Sequence, residues 1–298
     1  MELKIVVLVK QVPDTKNITG EAMKEDGTVN RIALPAIYNP EDLNALEMAL
    51  QLKDRYGGEV TVLTMGPPKA AQVLRESLYR GADQVALITD RRFAGADTLA
   101  TSYTLTAAIR KIVPDFDLVL CGRQAIDGDT AQVGPQTAEK LGVPQITYAA
   151  RIDSLENGKI TVRREFDGGH ELVRARYPVL LTVVETANEP RPPKAKKMMA
   201  LKNAASEFEL IDRLKKYPEF TDIDTLRNYL KQKGFYIPIV TADELDIDMD
   251  RIGLGGSPTK VKKINSVVLS GGELKLFETT NESVRSLINE LVEDYILG

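Results

Sequence analysis

The chain has 298 residues, 43% hydrophobic and 28% charged, with a formal net charge of −4; this is the balance of a globular chain with one large domain or two moderate ones, and it excludes a disordered protein. With no basic field over the chain, nucleic acid is excluded as an expected partner. One cysteine, Cys121, and one histidine, His170, rule out an internal disulfide, a cysteine-ligated cluster and an all-histidine metal site, so redox chemistry must come from a bound cofactor. The opening MELKIVVLVK is too short for a signal peptide, and no stretch approaches the roughly 18 apolar residues of a membrane span. A cytoplasmic protein is expected.

Residues 4–9, KIVVLV, read as a strand buried on both faces. No glycine-rich turn follows it, so the fingerprint of a NAD-binding Rossmann domain is missing. Polar residues 18–31 read as a long loop or short hairpin. Asn39 and Pro40 then open a helix, with Asn39 at the N-cap, Glu41 and Asp42 at its positive end, and Gly57 and Gly58 stopping it. A strand over 60–65, a turn at Gly66, Pro67 and Pro68, a helix over 70–80, a strand over 85–88 and a helix over 98–113 capped by Asp97 follow. The apolar run 117–121 is the next strand, and a helix is expected from Pro135. This βαβαβαβα order demands a doubly wound, mostly parallel α/β sheet, with strand ends after Val9, Met65, Ile88 and Cys121 on one carboxyl edge, where such sheets bind ligands.

The crossover Gly122, Arg123, Gln124, Ala125, Ile126, Asp127, Gly128, Asp129, Thr130, Ala131, Gln132, Val133, Gly134, Pro135 is the candidate site. Gly122, Gly128 and Gly134 are expected to allow positive φ and close approach of main-chain N–H groups, and the helix behind them adds its positive end, so phosphate is the natural guest. Asp127, Asp129, Gln124, Thr130 and Gln132 supply donors and acceptors for a ribose or an adenine edge. The competing reading is a surface loop whose Asp and Gly residues only make turns. Cys121 reads as core, and His170 as an exposed turn residue.

Beyond Val143, segments 146–152, 159–166, 170–175 and 179–184, with turns at Asn157-Gly158 and Gly168-Gly169, read as an antiparallel extension completing the sheet edge. Prolines 190, 192 and 193 forbid helix in 187–204, where Lys194, Lys196, Lys197 and Lys202 flank Met198, Met199 and Leu201 as a partner-contact linker. Residues 207–240 carry helical periodicity through Ile211, Leu214, Leu226, Tyr229 and Leu230, and Asp243–Asp250 reads as a solvated loop. The glycines at 253–256 follow that loop and not a strand, which makes them weak as a dinucleotide signal. Leu269-Ser270-Gly271-Gly272-Glu273 reads as a hairpin turn, because no phosphate-binding GxxxxGK[ST] loop accompanies it, and ATP hydrolysis is excluded. A last helix over 282–297 carries Val284, Leu287, Ile288, Leu291 and Ile296 on one face, to pack on this domain or on a partner. The domains are therefore 1–186, a linker 187–206, and a helical insertion and arm 207–298.

Residues 162–182, VRREFDGGHELVRARYPVLLT, resemble the signature of the electron-transfer flavoprotein β subunit, with Arg164, Asp167, Gly168, Gly169, Glu171, Val173, Pro178, Leu180, Leu181 and Thr182 at the family's spacing. KIVVLVKQVPD, the Asn39-Pro40 opening, Met65-Gly66-Pro67, the 122–134 loop and Asn188-Glu189-Pro190-Arg191 are similar to family landmarks in the same order, over about residues 1–205. The resemblance implies an adenine-nucleotide α-hydrolase-like fold and pairing with an FAD-carrying α subunit. By position it implies a nucleotide pocket at Leu8, Val9, Asn39, Asp42, Met65, Gly66 and Gly122 through Pro135. Ordinary members hold AMP there; electron-bifurcating members hold FAD, take a hydride from NADH and divide the electrons between ferredoxin or flavodoxin and the α-subunit FAD. Residues 123–135 and 253–259 look more like the bifurcating type. The partner implied is a flavin dehydrogenase, lactate-type or acyl-CoA-type; the linker lacks the leucine expected of an anchor for acyl-CoA dehydrogenases, which points to the lactate type.

Overall fold

Two rows of apolar side chains on the first strand set the layout of the domain. β1 (Leu3–Leu8) turns Ile5 and Val7 to one face and Val6 and Leu8 to the other, since successive side chains of a strand alternate, and each row is buried under its own helices. The computed structural model describes residues 2–14, 35–217, 219–259 and 275–293. The expected loop at 18–31, the hairpin around Gly271-Gly272 and the last residues of the final helix lie outside them.

After β1 come β2 (Gln11–Pro13), which pairs antiparallel with β3 (Ala36–Tyr38), then α1 (Pro40–Tyr56), β4 (Gly58–Met65), α2 (Ala71–Arg80), β5 (Gln84–Ile88), α3 (Thr98–Ile112), β6 (Leu118–Gly122) and α4 (Val133–Leu141). Helices α1 and α2 cover the Ile5 and Val7 face through Leu46, Ala49, Leu50, Val73 and Leu74; α3 and α4 cover the other through Leu105, Ala108, Ile109 and Ala138. The doubly wound expectation is met. The remaining elements are β7 (Gln145–Glu156), β8 (Lys159–Phe166), β9 (Gly169–Arg176), β10 (Val179–Val183), α5 (Ala195–Leu201), β11 (Ala205–Ser206), α6 (Leu210–Leu214), α7 (Ile223–Lys233), β12 (Tyr236–Ile237), β13 (Ile239–Val240) and α8 (Asn281–Glu293).

The main sheet runs β13-β5-β4-β1-β6-β10-β7-β8-β9, parallel from β13 to β7 and antiparallel through the β7, β8 and β9 meander. From β1 the chain winds outward through β4 and β5, then returns to place β6 on the other side. The direction of winding therefore reverses between β1 and β6, and their carboxyl ends, in register at Leu8 and Cys121, open a crevice there.

Two expectations are corrected. β10 does not belong to an antiparallel edge; it lies between β6 and β7, parallel to both, and its five residues are all buried, as a continuous apolar run covered on two faces requires. The prolines hold the chain extended only as far as Lys194, after which α5 forms on residues that carry no proline. Asp243–Asp250 is largely exposed, as a solvated loop should be, but it is anchored at its start: β13 before it adds to the sheet beside β5, Thr241 and Glu244 form a capping box, and Leu245 is buried.

Residues 207–233 form the expected helical segment around buried Leu210, Leu226 and Leu230, while Ile211 and Tyr229 stay exposed. It is tied to α2 by Arg75, whose Nη1 donates to both oxygens of Glu209. No residue of α8 is buried, and among the described residues no helix is long and apolar enough to cross a membrane.

Candidate functional site

The first turn of α1 faces the end of β6, and its side chains are occupied by the loop that follows. Asn39 has an N-cap position but its amide does not cap α1; Nδ2 donates to the Gln124 carbonyl at 2.9 Å and Oδ1 accepts from the Ile126 N–H at 3.2 Å. Glu41 accepts from Arg123 Nη2 at 2.7 Å and from the Gln124 N–H at 2.8 Å. Asp42 accepts from the Gly122 N–H at 2.9 Å and from the Lys10 N–H at 2.8 Å, so one carboxyl joins the ends of β1 and β6. All three side chains are buried. Burial pushes the Asp42 carboxyl up to about 7, against the lowering effect of the hydrogen bonds it accepts. Buried acids are tolerated here because backbone N–H groups and the positive end of α1 satisfy them.

The glycines of the loop do not supply the positive φ expected of them. None of Gly122, Gly128 and Gly134 has positive φ; those values fall on Asp129, at 49°, and Ala131, at 52°. A Cβ on Gly122 would lie 2.5 Å from Asp42 Oδ1 and 2.8 Å from Glu41 Cβ, and one on Gly134 would lie 2.8 Å from Cys121 Sγ and from Thr182 Cγ2. Gly122 lets α1 approach β6, and Gly134 lets α4 lie on the sheet. Gly128 has open space around it.

The N–H groups of Thr130, Ala131 and Gln132 have no partner among the described residues. They lead into the N-terminus of α4, which opens at Val133, two residues before the expected Pro135. This run of donors with a helix dipole behind it suits an anion. Side chains fix the loop from within: Lys10 Nζ donates to both oxygens of Asp127, at 2.7 and 2.8 Å, and Gln124 Nε2 donates to Asp129 Oδ1 at 3.1 Å. At its far end Gln132 Oε1 accepts from Thr98 Oγ1 at 2.9 Å.

The other expected residues wall the crevice. Leu8 and Val9 are buried, and the backbone of Val9 is engaged by the neighbouring strand, donating to the Leu63 carbonyl and accepting from Thr64 Oγ1. Met65 is half-buried, and the Gly66 N–H donates to the Ile88 carbonyl. Cys121 is core, its thiol pushed up by burial and by the nearby acids Asp42 and Glu41. His170 is exposed on the meander, with Nε2 3.2 Å from Arg163 Nη1.

Segment 253–259, which carries only a weak motif, folds against the same edge. Leu254 N–H donates to the Ala94 carbonyl, Ser257 Oγ accepts from the Asp97 N–H at 2.8 Å, and Thr259 donates to Asp97 through both N–H and Oγ1. Asp97 also caps α3 through Leu99 and Ala100. Arg92 fixes the preceding turn by forking between Asp90 and Asp243.

Two residues near the loop escaped the sequence reading. Glu41 was assigned only to the helix dipole, and Tyr148 carried no signal. Tyr148 sits on an irregularity of β7 at φ 58°, with the Arg123 guanidinium 5.6 Å from its ring centre. Arg164 of the 162–182 signature donates to Thr147, through Nε to the carbonyl and Nη2 to Oγ1, and so buttresses that irregularity.

Taken together, unpaired backbone donors and a helix N-terminus behind them fit a phosphate-bearing nucleotide. No group of His, Cys, Asp and Glu among the described residues could hold a metal. A cleft of 660 Å³ lies elsewhere, lined by Tyr103, Arg110, Lys111, Lys140, Asp246 and Arg251. Arg110, Lys111 and Lys140 belong to the last turns of α3 and α4, where cations answer helix carbonyls, and Arg110 Nη2 donates to the Lys140 carbonyl.

Comparison with known proteins gives the family. The model of the electron transfer flavoprotein domain matches residues 26–211. An electron transfer flavoprotein subunit beta of Clostridium acetobutylicum is 40% identical over 99% of this chain and 100% of its own length. One from Megasphaera elsdenii is 42% identical, over 99% of this chain and 98% of its own. A caffeyl-CoA reductase-Etf complex subunit, CarD, of Acetobacterium woodii is 39% identical, over 99% and 100%.

Proposed function

The chain belongs to the electron transfer flavoprotein family as a β subunit, and from that premise we propose that it holds FAD on the 122–135 loop and oxidises NADH there. The electrons are divided between ferredoxin or flavodoxin and the FAD of an α subunit, which passes its share to a partner flavin dehydrogenase. The observation that carries the cofactor reading is the run of unpaired N–H groups at 130–132, in a loop whose first residues, 122–126, are fixed at the switch point of the sheet by Asn39, Glu41 and Asp42.

FAD when bound supplies the hydride and electron chemistry. This chain's residues do the rest. The N–H groups of Thr130 to Gln132 and the α4 N-terminus would take phosphate oxygens, Leu8, Val9 and Met65 would wall the cofactor from water, and Asp129 would meet a ribityl or ribose hydroxyl. No side chain is required as an acid or base.

Residues 123–135 and 253–259 support the bifurcating reading by their likeness to members of that type, and the second of these segments lies on the α3 N-terminus beside the loop. As for the partner, a relative's name places it in a caffeyl-CoA reductase complex, which favours an acyl-CoA-type dehydrogenase; a lactate-type enzyme is the second reading, suggested by the missing leucine in the 187–204 linker. That linker, with the segment 207–298 and exposed α8, would supply contacts to partners, α8 to the α subunit.

The alternative is a non-bifurcating β subunit with AMP on the same donors. Nucleotides released from the complex with the co-expressed α subunit decide between them. Two FAD per heterodimer support the proposal, one FAD with one AMP supports the alternative, and one FAD alone removes the site.

A further inference from the structure

Arg123 is the cation that opens the loop, yet its charge is already taken. Its Nη2 donates to Glu41 Oε1 at 2.7 Å, its guanidinium lies over Tyr148, and its Nε is buried with no partner. The Glu41 side chain is 5% exposed and that of Arg123 32%. Glu41 spends its second oxygen on the Gln124 N–H, so one buried carboxylate fixes the backbone at the head of the loop and neutralises the only cationic side chain within residues 122–135. Removing the carboxylate charge while keeping its shape would leave the guanidinium against Tyr148, unpaired, in the loop proposed above to take an anion.

We propose that Glu41 is a positioning residue that sets the charge the loop presents to a phosphate-bearing nucleotide. By holding Arg123 in a neutral pair, it leaves phosphate recognition to the N–H groups of Thr130 to Gln132, and keeps the bound nucleotide looser than the loop could hold it. This rests on the loop being the nucleotide site, as proposed above. It adds a residue that the sequence tied only to helix capping.

The test is direct titration of AMP and FAD into the nucleotide-stripped complex with the α subunit, for the wild type, Glu41→Gln, and Glu41→Gln with Arg123→Met. The amide oxygen introduced by Glu41→Gln can still accept from the Gln124 N–H, so the backbone contact is kept. At low salt the single variant is expected to bind AMP about three- to tenfold tighter than the wild type, an increase of the size expected when one compensating charge near an anion is lost in a partly buried site. The increase should shrink in 0.5 M salt, which screens the part of the charge that reaches solvent, and should vanish in the double variant, which should return to within about twofold of the wild type. A purely structural role for Glu41 predicts the opposite sign, weaker binding with no salt dependence of the difference.

Unchanged or weaker binding by Glu41→Gln, with the wild type binding normally, overturns this inference and leaves the nucleotide site standing. Wild-type protein that binds neither AMP nor FAD at this loop overturns both. Should Glu41→Gln fold poorly, the Arg123→Met variant carries the test: it leaves the Glu41 carboxylate uncompensated beside the loop, so weaker AMP binding is expected, most marked at low salt, with unchanged or tighter binding counting against the inference.

Discussion

The carboxylate of Asp42 accepts the Gly122 N–H at 2.9 Å, so the first turn of α1 is bonded directly to the last residue of β6. Its other oxygen holds the Lys10 N–H. Because burial raises this carboxyl to about 7 from 3.8, the folded chain holds a proton that the unfolded chain has released across that interval. The stability this contributes is fully present below pH 3.8 and is lost as pH rises through 7. Asp42→Asn removes the titration. The unfolding free energy of the wild type minus that of the variant should therefore fall between about pH 4 and 7.5, by at most about 4 kcal/mol. Denaturant titrations at several pH values check it, and a difference that stays flat rules out the raised carboxyl.

The Asn39 amide satisfies two backbone groups of the loop that have no other partner in the described chain. Asn39→Ala should cost about 2 kcal/mol, since each half-buried backbone group left unsatisfied costs roughly 1 kcal/mol or more. Asn39→Asp keeps the acceptor for Ile126 but sets two oxygens against each other at Gln124, and should cost as much or more. Urea midpoints and amide exchange at Ile126 report both. Unchanged exchange would show that the loop is held by other contacts.

The three loop glycines separate close approach from backbone freedom. Gly122→Ala and Gly134→Ala should each cost about 1–3 kcal/mol, because a methyl at 2.5–2.8 Å from fixed atoms forces α1 or α4 off the sheet. Gly128→Ala should change stability by less than about 0.5 kcal/mol, having neither a close neighbour nor positive φ. Thermal or urea unfolding of the set shows whether the order is as stated.

Ala131 keeps φ at 52°, a conformation that L-residues adopt at a cost. Ala131→Gly should leave stability unchanged or raise it by up to about 1 kcal/mol, relief of the strain being offset in part by entropy gained in the unfolded chain. Nucleotide affinity should fall about threefold as the free N–H groups lose their fixed directions. Stability and affinity moving together would show that the strain has no part in binding.

Glu47 accepts from the Arg191 N–H and from its Nε and Nη2, between 2.7 and 3.0 Å, while Asn44 Nδ2 donates to the carbonyls of Glu185 and Asn188. Glu47→Gln should loosen this corner and the linker after it. Tryptic cleavage at Lys194, Lys196 or Lys197 should quicken about tenfold if the corner loses roughly 1.4 kcal/mol of local stability. An unchanged cleavage rate would place the restraint elsewhere, on the α2 contact with α5.

Much of the first half of the fold was legible because each signal is local. Asp97 caps α3 as its position before an apolar-periodic segment demands, and the runs at 60–65 and 117–121 are strands buried on both faces. β10 was misplaced although its continuous apolar run carries the mark of an interior parallel strand, because which strands become neighbours is a property of distant pairing. The loop itself could be found from its glycines, but not the reason for them: composition does not tell a positive φ from a close approach, and positive φ at Asp129 and Ala131 leaves no trace in the sequence. Glu41 looked like an ordinary helix-opening acid because its partners Arg123 and Gln124 lie some eighty residues away. β13, two residues long, gives no periodicity to detect.

The seat of β10 between β6 and β7 also orders events during synthesis. As the chain leaves the ribosome, β1, β4, β5 and β6 can assemble in the sequence in which they appear, but β6 then keeps one bare edge until residues 179–183 arrive to pair with it. The β7, β8 and β9 meander is made in between and closes through neighbouring pairings, and it carries Val179 back to the waiting edge. Cut after residue 176, the nascent polypeptide would present the strand that leads into the 122–135 loop as an open template for other chains.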